Sequence, residues 1–466
     1  ETIVRLAREF AHAPTAVAYG RVGVCQQLTG TLTHWLINAL NAVTGNLDRP
    51  GGQMFGTPAV DILGLLELAL GRGEYAATRQ RTTGLPGFND ELPVAGLADE
   101  ILTPGPGQIR AMVVYAGNPV LSTPGGHRLD GAMAALEFCV AVDMYVTETT
   151  RHADVILPPV AQLERDDVDI VLSSFAVRNY IRYSPAALPR PEGGRTDWEI
   201  LMALASRLGR GPIGAVANRV LRSTAPLAGP DRVIDLALRL GPYGVRRRGL
   251  RHGLSIGAVK RAAHGIDLGP LQPRLPDVLR TADKRVHLAP ELFVRESARL
   301  GEDAEALQGA RGDGFDLTLI GRRQLRSNNS WMHNSGRLMK GADRCTALMH
   351  PDDAAGRGLS DGQRVTITSR VGSIEVPLEV SDEIRPGVVS VPHGFGHHRA
   401  GVGWQRAAAH AGASMNDITD PLVVDRLSGN AAFNAVPVRV DPVPDQGGVD
   451  HAERRSRSST AATVSA

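Results

Sequence analysis

The period of the apolar residues changes once, near residue 314, and no single-layer fold accommodates that change. Beyond it, Leu317-Thr318-Leu319-Ile320, Val365-Thr366-Ile367-Thr368, Ile374 through Val380, Val388-Val389-Ser390-Val391 and Val436 through Val440 alternate with a period of two. Such runs are half-buried strands, because successive side chains of a strand point to opposite faces. Gly372 is placed to turn one hairpin, and Pro377 and Pro437 suit edge or bulge positions. Several short strands with turn residues between them predict a small barrel over 314–442.

Upstream the pattern is helical, interrupted by short apolar runs. Ile3, Val4, Leu6, Ala7, Phe10 and Ala11 share one helical face over 1–13. Ala16-Val17-Ala18-Tyr19 reads as a strand stopped by Gly20. A second helix carries Trp35, Leu36, Ile37, Leu40 and Val43 and closes at Gly45-Asn46. Residues 47–109 read as a loop excursion with one helix at Ile62–Leu70. A buried strand follows at Met112–Tyr115, then a helix near 129–136, strands at Phe138–Val142 and Val155–Leu157, and a helix over 195–208. Strand, helix, strand at these lengths predicts a right-handed parallel crossover, and ligands of such sheets bind beyond the carboxyl ends of the strands. Asn118 and Asp143 lie at two such ends.

The expected organisation is an α/β segment at 1–55, a loop-rich connection at 56–109, and an α/β domain with a βαβ unit at 110–210. An irregular, arginine-rich connection at 211–313 contains Arg246-Arg247-Arg248 and Arg251-His252. The barrel at 314–442 and a disordered tail at 443–466 complete it.

Composition excludes several classes. Lys+Arg 51 against Asp+Glu 49 gives a net charge of +2, too small a field for nucleic-acid binding. No apolar run approaches the roughly 18 residues of a membrane-spanning helix. Cys25, Cys139 and Cys345 stand far apart without a C-x-x-C, which argues against a disulfide framework, a cysteine zinc site or a four-cysteine cluster within these residues. Three buried thiols fit a reducing, cytoplasmic compartment.

Two common catalytic signatures are absent, the P-loop and H-E-x-x-H. The segment Gly321-Arg322-Arg323-Gln324-Leu325-Arg326-Ser327-Asn328-Asn329-Ser330-Trp331 follows a strand and concentrates guanidiniums, hydroxyls and amides. It is either a solvated loop between barrel strands or a surface for phosphates and a polar heterocycle. Asp143, Asp197 and Asn118 are either turn and cap residues or readers of a purine, since a carboxylate accepts two parallel hydrogen bonds from guanine. His393, His397 and His398 lack an accompanying carboxylate or cysteine cluster, so a loop histidine bonding a ligand or the backbone fits better than a metal ligand.

Four segments together resemble the C-terminal portion of the dimethyl sulfoxide reductase family of molybdopterin oxidoreductases, which includes formate dehydrogenases and nitrate reductases. They are Leu40 through Gly52 (L-N-A-V-T-G-N-L-D-R-P-G-G), Gly117-Asn118-Pro119, and Thr147-Glu148-Thr149 leading to Ala153-Asp154-Val155-Ile156-Leu157-Pro158. The fourth is the barrel set Gly321-Arg322, Pro351 through Gly362 and Asn416-Asp417-Ile418-Thr419.

The resemblance implies incomplete parallel α/β domains followed by a C-terminal double-psi β-barrel. It implies a bis(molybdopterin guanine dinucleotide) molybdenum cofactor, with a [4Fe-4S] cluster and the metal ligand expected in an N-terminal region upstream of these residues. The partners implied are a small-molecule substrate and an electron-transfer protein. By position, Gln26 matches a pterin contact after the first strand, Asn118 a nucleotide-side contact, and Asp143 an acidic strand-end residue. Arg165 matches a basic cofactor contact and Asp197 a guanosine-side Asp. Gly321, Arg322, Arg323, Arg326, Ser327, Asn328 and Asn329 match the barrel loop on the cofactor, with His393 beside them. Asn416 and Asn434 match two late contacts.

Three departures bear on this. Asp167 stands where a Gly is usual, and Asn434 where a Lys is frequent. Gly51-Gly52 leads into Gln53-Met54-Phe55-Gly56 rather than the Arg-Gly-x-Asn-x-x-Gly of formate dehydrogenases, so a formate-orienting Arg is not evident. No catalytic residue is assigned within this chain. The resemblance also admits an inactive paralogue that keeps the fold without molybdenum, whereas a generic nucleotide-binding α/β enzyme leaves the barrel loop unexplained.

Overall fold

The computed structural model describes residues 1–71, 73–89, 91–208, 229–245, 253–302, 304–305 and 314–444. The Arg246–Arg248 and Arg251-His252 runs and nearly all of the expected tail lie outside the described residues. The chain divides into two compact units. One comprises Glu1–Ala306, Arg399–Gln405 and Asp420–Phe433; the other comprises Leu307–His398, Arg406–Thr419 and Asn434–Ala466.

The first unit begins with α1 (Thr2–His12), α2 (Val22–Cys25) and α3 (Gly30–Val43). The helices at 1–13 and 30–43 match the periodicity, but their apolar stripes do not become core. No residue of α1 is buried, and α3 buries Gly30, Leu32 and Asn41 while Leu36, Leu40 and Val43 stay exposed. The expected strand Ala16–Tyr19 is not one. Its Ala18 N–H donates to Asn41 Oδ1 and its carbonyl accepts from Asn41 Nδ2, both at 2.8 Å, so a buried amide replaces a neighbouring strand. This is also why α3 turns a polar residue inward: a buried Asn demands partners, and the extended backbone supplies them.

α4 (Ile62–Leu70) falls where expected, started by Asp61 accepting from Gly64 N–H. The rest of 56–109 is more ordered than a loop excursion. A hairpin of β1 (Tyr75–Arg79) and β2 (Pro86–Phe88) and α5 (Leu97–Leu102) occupy it. Glu100 joins the two, accepting from Thr82 N–H and Oγ1, a long-range link that no local pattern reveals.

Next comes a parallel sheet in the order β3 (Ala111–Tyr115), β4 (Phe138–Val142), β5 (Val155–Ile156), with α6 (Pro119–Ser122) and α7 (Gly126–Ala134) in the crossover. Its register runs from Ala111↔Phe138 to Tyr115↔Val142. One face packs on α5, α6 and α7 through Val120, Leu129, Ala132, Met133, Cys139 and Ala141. β3 is not the buried strand expected, since Val113 and Tyr115 remain about half exposed while Val114 faces the core.

β6 (Asp167–Val168) pairs antiparallel with β8 (Tyr183–Ser184), and β7 (Arg178–Ile181) with β9 (Ile266–Pro270). α8 (Asp197–Leu208) starts with a capping box, in which Glu199 N–H donates to Thr196 Oγ1 and Thr196 N–H to Glu199 Oε2. Thr196, not Asp197, is therefore the cap. The 211–313 connection is not irregular throughout. Its described part holds helices at Pro230–Leu240 and Ile256–Arg261 besides β9, around a core of Ile181, Tyr183, Leu238 and Val259, and a helix at Glu291–Ser297 whose Phe293 ring lies 5.6 Å from that of Trp35 on α3.

The second unit contains a closed six-stranded barrel: β10 (Leu317–Arg322), β11 (Ala347–Met349), β12 (Arg364–Ser369), β13 (Gly372–Val380), β14 (Val388–Pro392) and β15 (Val436–Pro442), in the order β10-β14-β11-β13-β12-β15. β10 runs parallel to β14, and β11 to β13. Five strands were legible from period two; β11, three residues long, was too short to show one. Closure leaves no edge, so Pro377 and Pro437 lie inside the ladder opposite Arg364 and Thr318. The hairpin bends at Arg370-Val371, and Gly372 begins the return strand because a Cβ there would sit 3.0 Å from Asp417 O.

Candidate functional site

In the first unit the residues expected at strand ends are held by the loop that follows β4. The chain bends after β3 at Ala116, at φ +50, and Asn118 lies beside that loop. Asn118 Nδ2 donates to Glu148 Oε2 at 2.6 Å, and Thr149 Oγ1 donates to Asn118 Oδ1 at 2.7 Å. Both ends of the amide thus hold the Thr147-Glu148-Thr149 segment, which is buried. Asn118 does not cap α6 with its side chain, as the turn-residue reading expects. Asp143, immediately after β4, accepts through Oδ1 from Met144 and Tyr145 N–H, and burial pushes its carboxyl above the usual range despite these bonds.

Arg165 and Asp197 come together. Arg165 Nη1 donates to Asp197 Oδ1, and Tyr115 OH donates to Asp197 Oδ2 at 2.7 Å. Burial opposes ionisation of Asp197, but Tyr115 and Arg165 outweigh it and hold the carboxyl below the ordinary carboxylate range. These three side chains line a cavity of about 700 Å³ together with Asp166, Tyr183 and Trp198. Tyr115, placed by the last pleat of β3, was missed by sequence reasoning; its position at a parallel strand end was the available signal. Gln26 is half-buried at the end of α2, not after a strand. Cys25 beside it is also only half-buried, its Sγ 3.2 Å from His34 Nε2, so just two of the three thiols are buried as expected. Burial pushes the Cys345 thiol up to about 11.

In the second unit the expected residues cluster at the carboxyl ends of the parallel strands β10 and β14. Gly321 N–H donates to Asn434 Oδ1 at 3.0 Å, which explains an amide where a cation was usual. Arg322 donates to Ser390 O and, at 2.6 Å, to Thr346 Oγ1, so its guanidinium braces the barrel wall. Arg323 donates to Asn329 Oδ1. Asn328 and Asn329 take left-handed φ values of +43 and +61, which Asn tolerates; both, with Arg323 and Arg326, are exposed. His393 N–H donates to Arg322 O at 3.0 Å, and its imidazole is pushed down to about 4 by burial and by the nearby Arg323 charge. Ser327 is buried, as is Asn416 on the short 3₁₀ turn Met415–Ile418. Two further histidines belong here: His333, missed altogether, and His397, which contacts it.

Comparison with known proteins fits this geometry. Residues 6–207 match the family described as molybdopterin oxidoreductase, and residues 317–437 the molydopterin dinucleotide binding domain, together more than half of the chain. A dimethyl sulfoxide/trimethylamine N-oxide reductase of Rhodobacter capsulatus is 25% identical over 91% of this chain and 52% of its own length. The F420-dependent formate dehydrogenase 1 subunit alpha of Methanococcus maripaludis is 24% identical over 86% of this chain and 57% of its own. The assimilatory nitrate reductase catalytic subunit of Bacillus subtilis is 28% identical over 45% and 30%. Acetylene hydratase from Pelobacter acetylenicus shares the fold, with a TM-score of 0.66 at 16% identity over 95% of this chain and 63% of that one.

The chain belongs to the dimethyl sulfoxide reductase family of molybdopterin oxidoreductases. It spans about half the length of the curated relatives it matches. The dinucleotide-binding match points to a molybdenum bis(molybdopterin guanine dinucleotide) cofactor. The donor set of the α/β cavity fits part of such a group: an ionised carboxylate for the N1–H and amino group of guanine, a guanidinium for phosphate, and aromatic faces for a ring. Among the described residues no helix is long and apolar enough to cross a membrane, and no group of three or more His, Cys, Asp and Glu could hold a metal ion.

Proposed function

We propose that the whole protein is a molybdopterin-dependent oxidoreductase acting on a small molecule in the cytoplasm and passing electrons to a partner protein. The observation that carries this is the Tyr115–Arg165–Asp197 cluster in its cavity of about 700 Å³. Bound cofactor supplies two-electron redox chemistry at molybdenum; the chain's own residues grip, orient and shield. Asp197 accepts from guanine, Arg165 contacts phosphate, and Asn118 acts by fixing Thr147–Thr149 next to Asp143. Gln26 is assigned to the pterin. In the barrel, for which we propose double-psi topology on the strength of its two parallel pairs, the face comprises Gly321, Arg323, Arg326, Asn328, Asn329, His393 and Asn416, with Ser327 and Asn434 holding the backbone that carries it. Arg322 acts there through the wall it braces. The domain boundaries given above are part of this proposal. We assign the molybdenum ligand and the [4Fe-4S] cluster to polypeptide outside this sequence.

Nitrate-type and N-oxide-type substrates are favoured over formate, because Gln53-Met54-Phe55-Gly56 offers no orienting Arg. The inactive paralogue finds no support, since the strand-end polar set and both family segments are retained. Elemental and nucleotide analysis of the full-length protein tests the reading. We expect molybdenum and acid-released guanine nucleotide in a one-to-two ratio, both reduced in Asp197→Ala. A full-length protein devoid of molybdenum after expression in a host that makes the cofactor overturns it.

A further inference from the structure

Two loops leave the parallel pair β10–β14 side by side, and a chain of three buried side chains joins them. Ser327 Oγ lies 2.8 Å from His333 Nε2, and His333 Nδ1 lies 2.8 Å from His397 Nε2. Ser327 is 3% exposed, His333 0% and His397 1%. His333 also packs on Phe395, with ring centroids 4.3 Å apart. The backbones meet as closely: a Cβ on Gly394, which sits at φ +99, would fall 2.1 Å from Asn329 O.

An N-to-N contact between imidazoles requires a donor on one ring and a lone pair on the other. If His333 Nδ1–H donates to His397, then its Nε2 accepts the Ser327 hydroxyl. If His397 Nε2–H donates instead, then His333 Nε2–H donates to Ser327 Oγ. Both tautomeric arrangements keep the chain bonded, and neither works with an apolar residue at 397. Burying one imidazole nitrogen without a partner is costly, so the chain is cooperative. Residues 323–326 and 328–329, by contrast, are mostly exposed at the tip. A loop with an exposed tip and its base fixed in this way is held from beneath.

We propose that Ser327, His333 and His397 are positioning residues that lock the loop 322–331 against the loop 392–398, with His333 as the hub. Their relevance to cofactor binding rests on the function proposed above; the lock itself does not. It acts through Ser327, which the sequence resemblance counts as a cofactor contact but whose hydroxyl is engaged inward.

Trypsin provides the test on the full-length protein, because Arg323 and Arg326 are exposed within the locked loop and Arg110 and Arg364 are exposed outside it. In His397→Leu, cleavage after Arg323 and Arg326 should rise by about tenfold or more, the effect of one unpaired buried group, with cleavage at Arg110 and Arg364 unchanged. His397→Gln, whose amide both donates and accepts, should restore the wild-type rate to within about twofold. Cleavage in His397→Leu as slow as wild type, or as fast in His397→Gln as in His397→Leu, overturns the proposal. Should His397→Leu unfold, shown by faster cleavage at Arg110 and Arg364 as well, histidine-labelled wild type decides. A scalar coupling between the His333 and His397 ring nitrogens is expected, and its absence overturns the lock. A full-length wild type that holds no molybdenum, with the local rise in cleavage still seen in His397→Leu, would count against the proposed function and leave the lock standing.

Discussion

In the barrel, Val365, Ile367, Val389 and Val438 are wholly buried, whereas in the three-stranded parallel sheet Val113, Tyr115 and Phe138 stay about half exposed. The two regions use the same kinds of side chain. They differ in closure: a barrel wall encloses its own inward face, while an open sheet buries only what another layer covers. The polar groups follow suit. In the barrel, Arg322, Asn434 and Ser327 are spent on the scaffold, and in the α/β unit Arg165, Asp197 and Tyr115 surround open space. The barrel uses these groups as a frame beneath an exposed loop tip, whereas the α/β unit turns its own towards a cavity.

The contrast can be broken first in the barrel core. Ile367→Ala should cost about 3–4 kcal/mol, read as a lower urea midpoint, since a closed interior cannot collapse onto the void. A loss below about 1 kcal/mol would mean that the barrel is as forgiving as the sheet.

Acid offers the next handle. His393 is lowered from the ordinary 6.5 to about 4 in the folded chain, so between those values the unfolded chain binds the extra proton. Stability should be level above pH 6.5 and fall by at most about 3 kcal/mol as pH drops towards 4. His393→Gln should flatten that part of the stability curve; an equal slope in the variant refutes the assignment.

Asn118→Ala comes third. Removing both bonds from the amide should cost roughly 2 kcal/mol and speed amide exchange over 146–150. Last, Val113→Ala should cost less than about 1 kcal/mol by the same urea measurement, given its exposure. A larger loss would show that this face is covered in solution.

The barrel and the βαβ crossover were legible because period two and the strand–helix–strand order are local signals. Where the reading failed, a distant partner decided. Asn41 pairs with Ala18 and so removes a strand and rotates a helix; Glu100 pairs with Thr82 and so orders a supposed loop. Arg165 and Asp197, 32 positions apart, were named separately for their chemistry, but nothing in the sequence said that they would touch. His333 escaped notice because its partner His397 lies 64 positions away, and only the fold brings the two together.

Because β10 and β15 hydrogen-bond to each other, with Leu317 opposite Val438, the polypeptide enters and leaves the barrel at neighbouring points on its rim. Two stretches between β14 and β15, Arg399–Gln405 and Asp420–Phe433, nevertheless belong to the other unit, so the barrel cannot be excised as one uninterrupted length of chain.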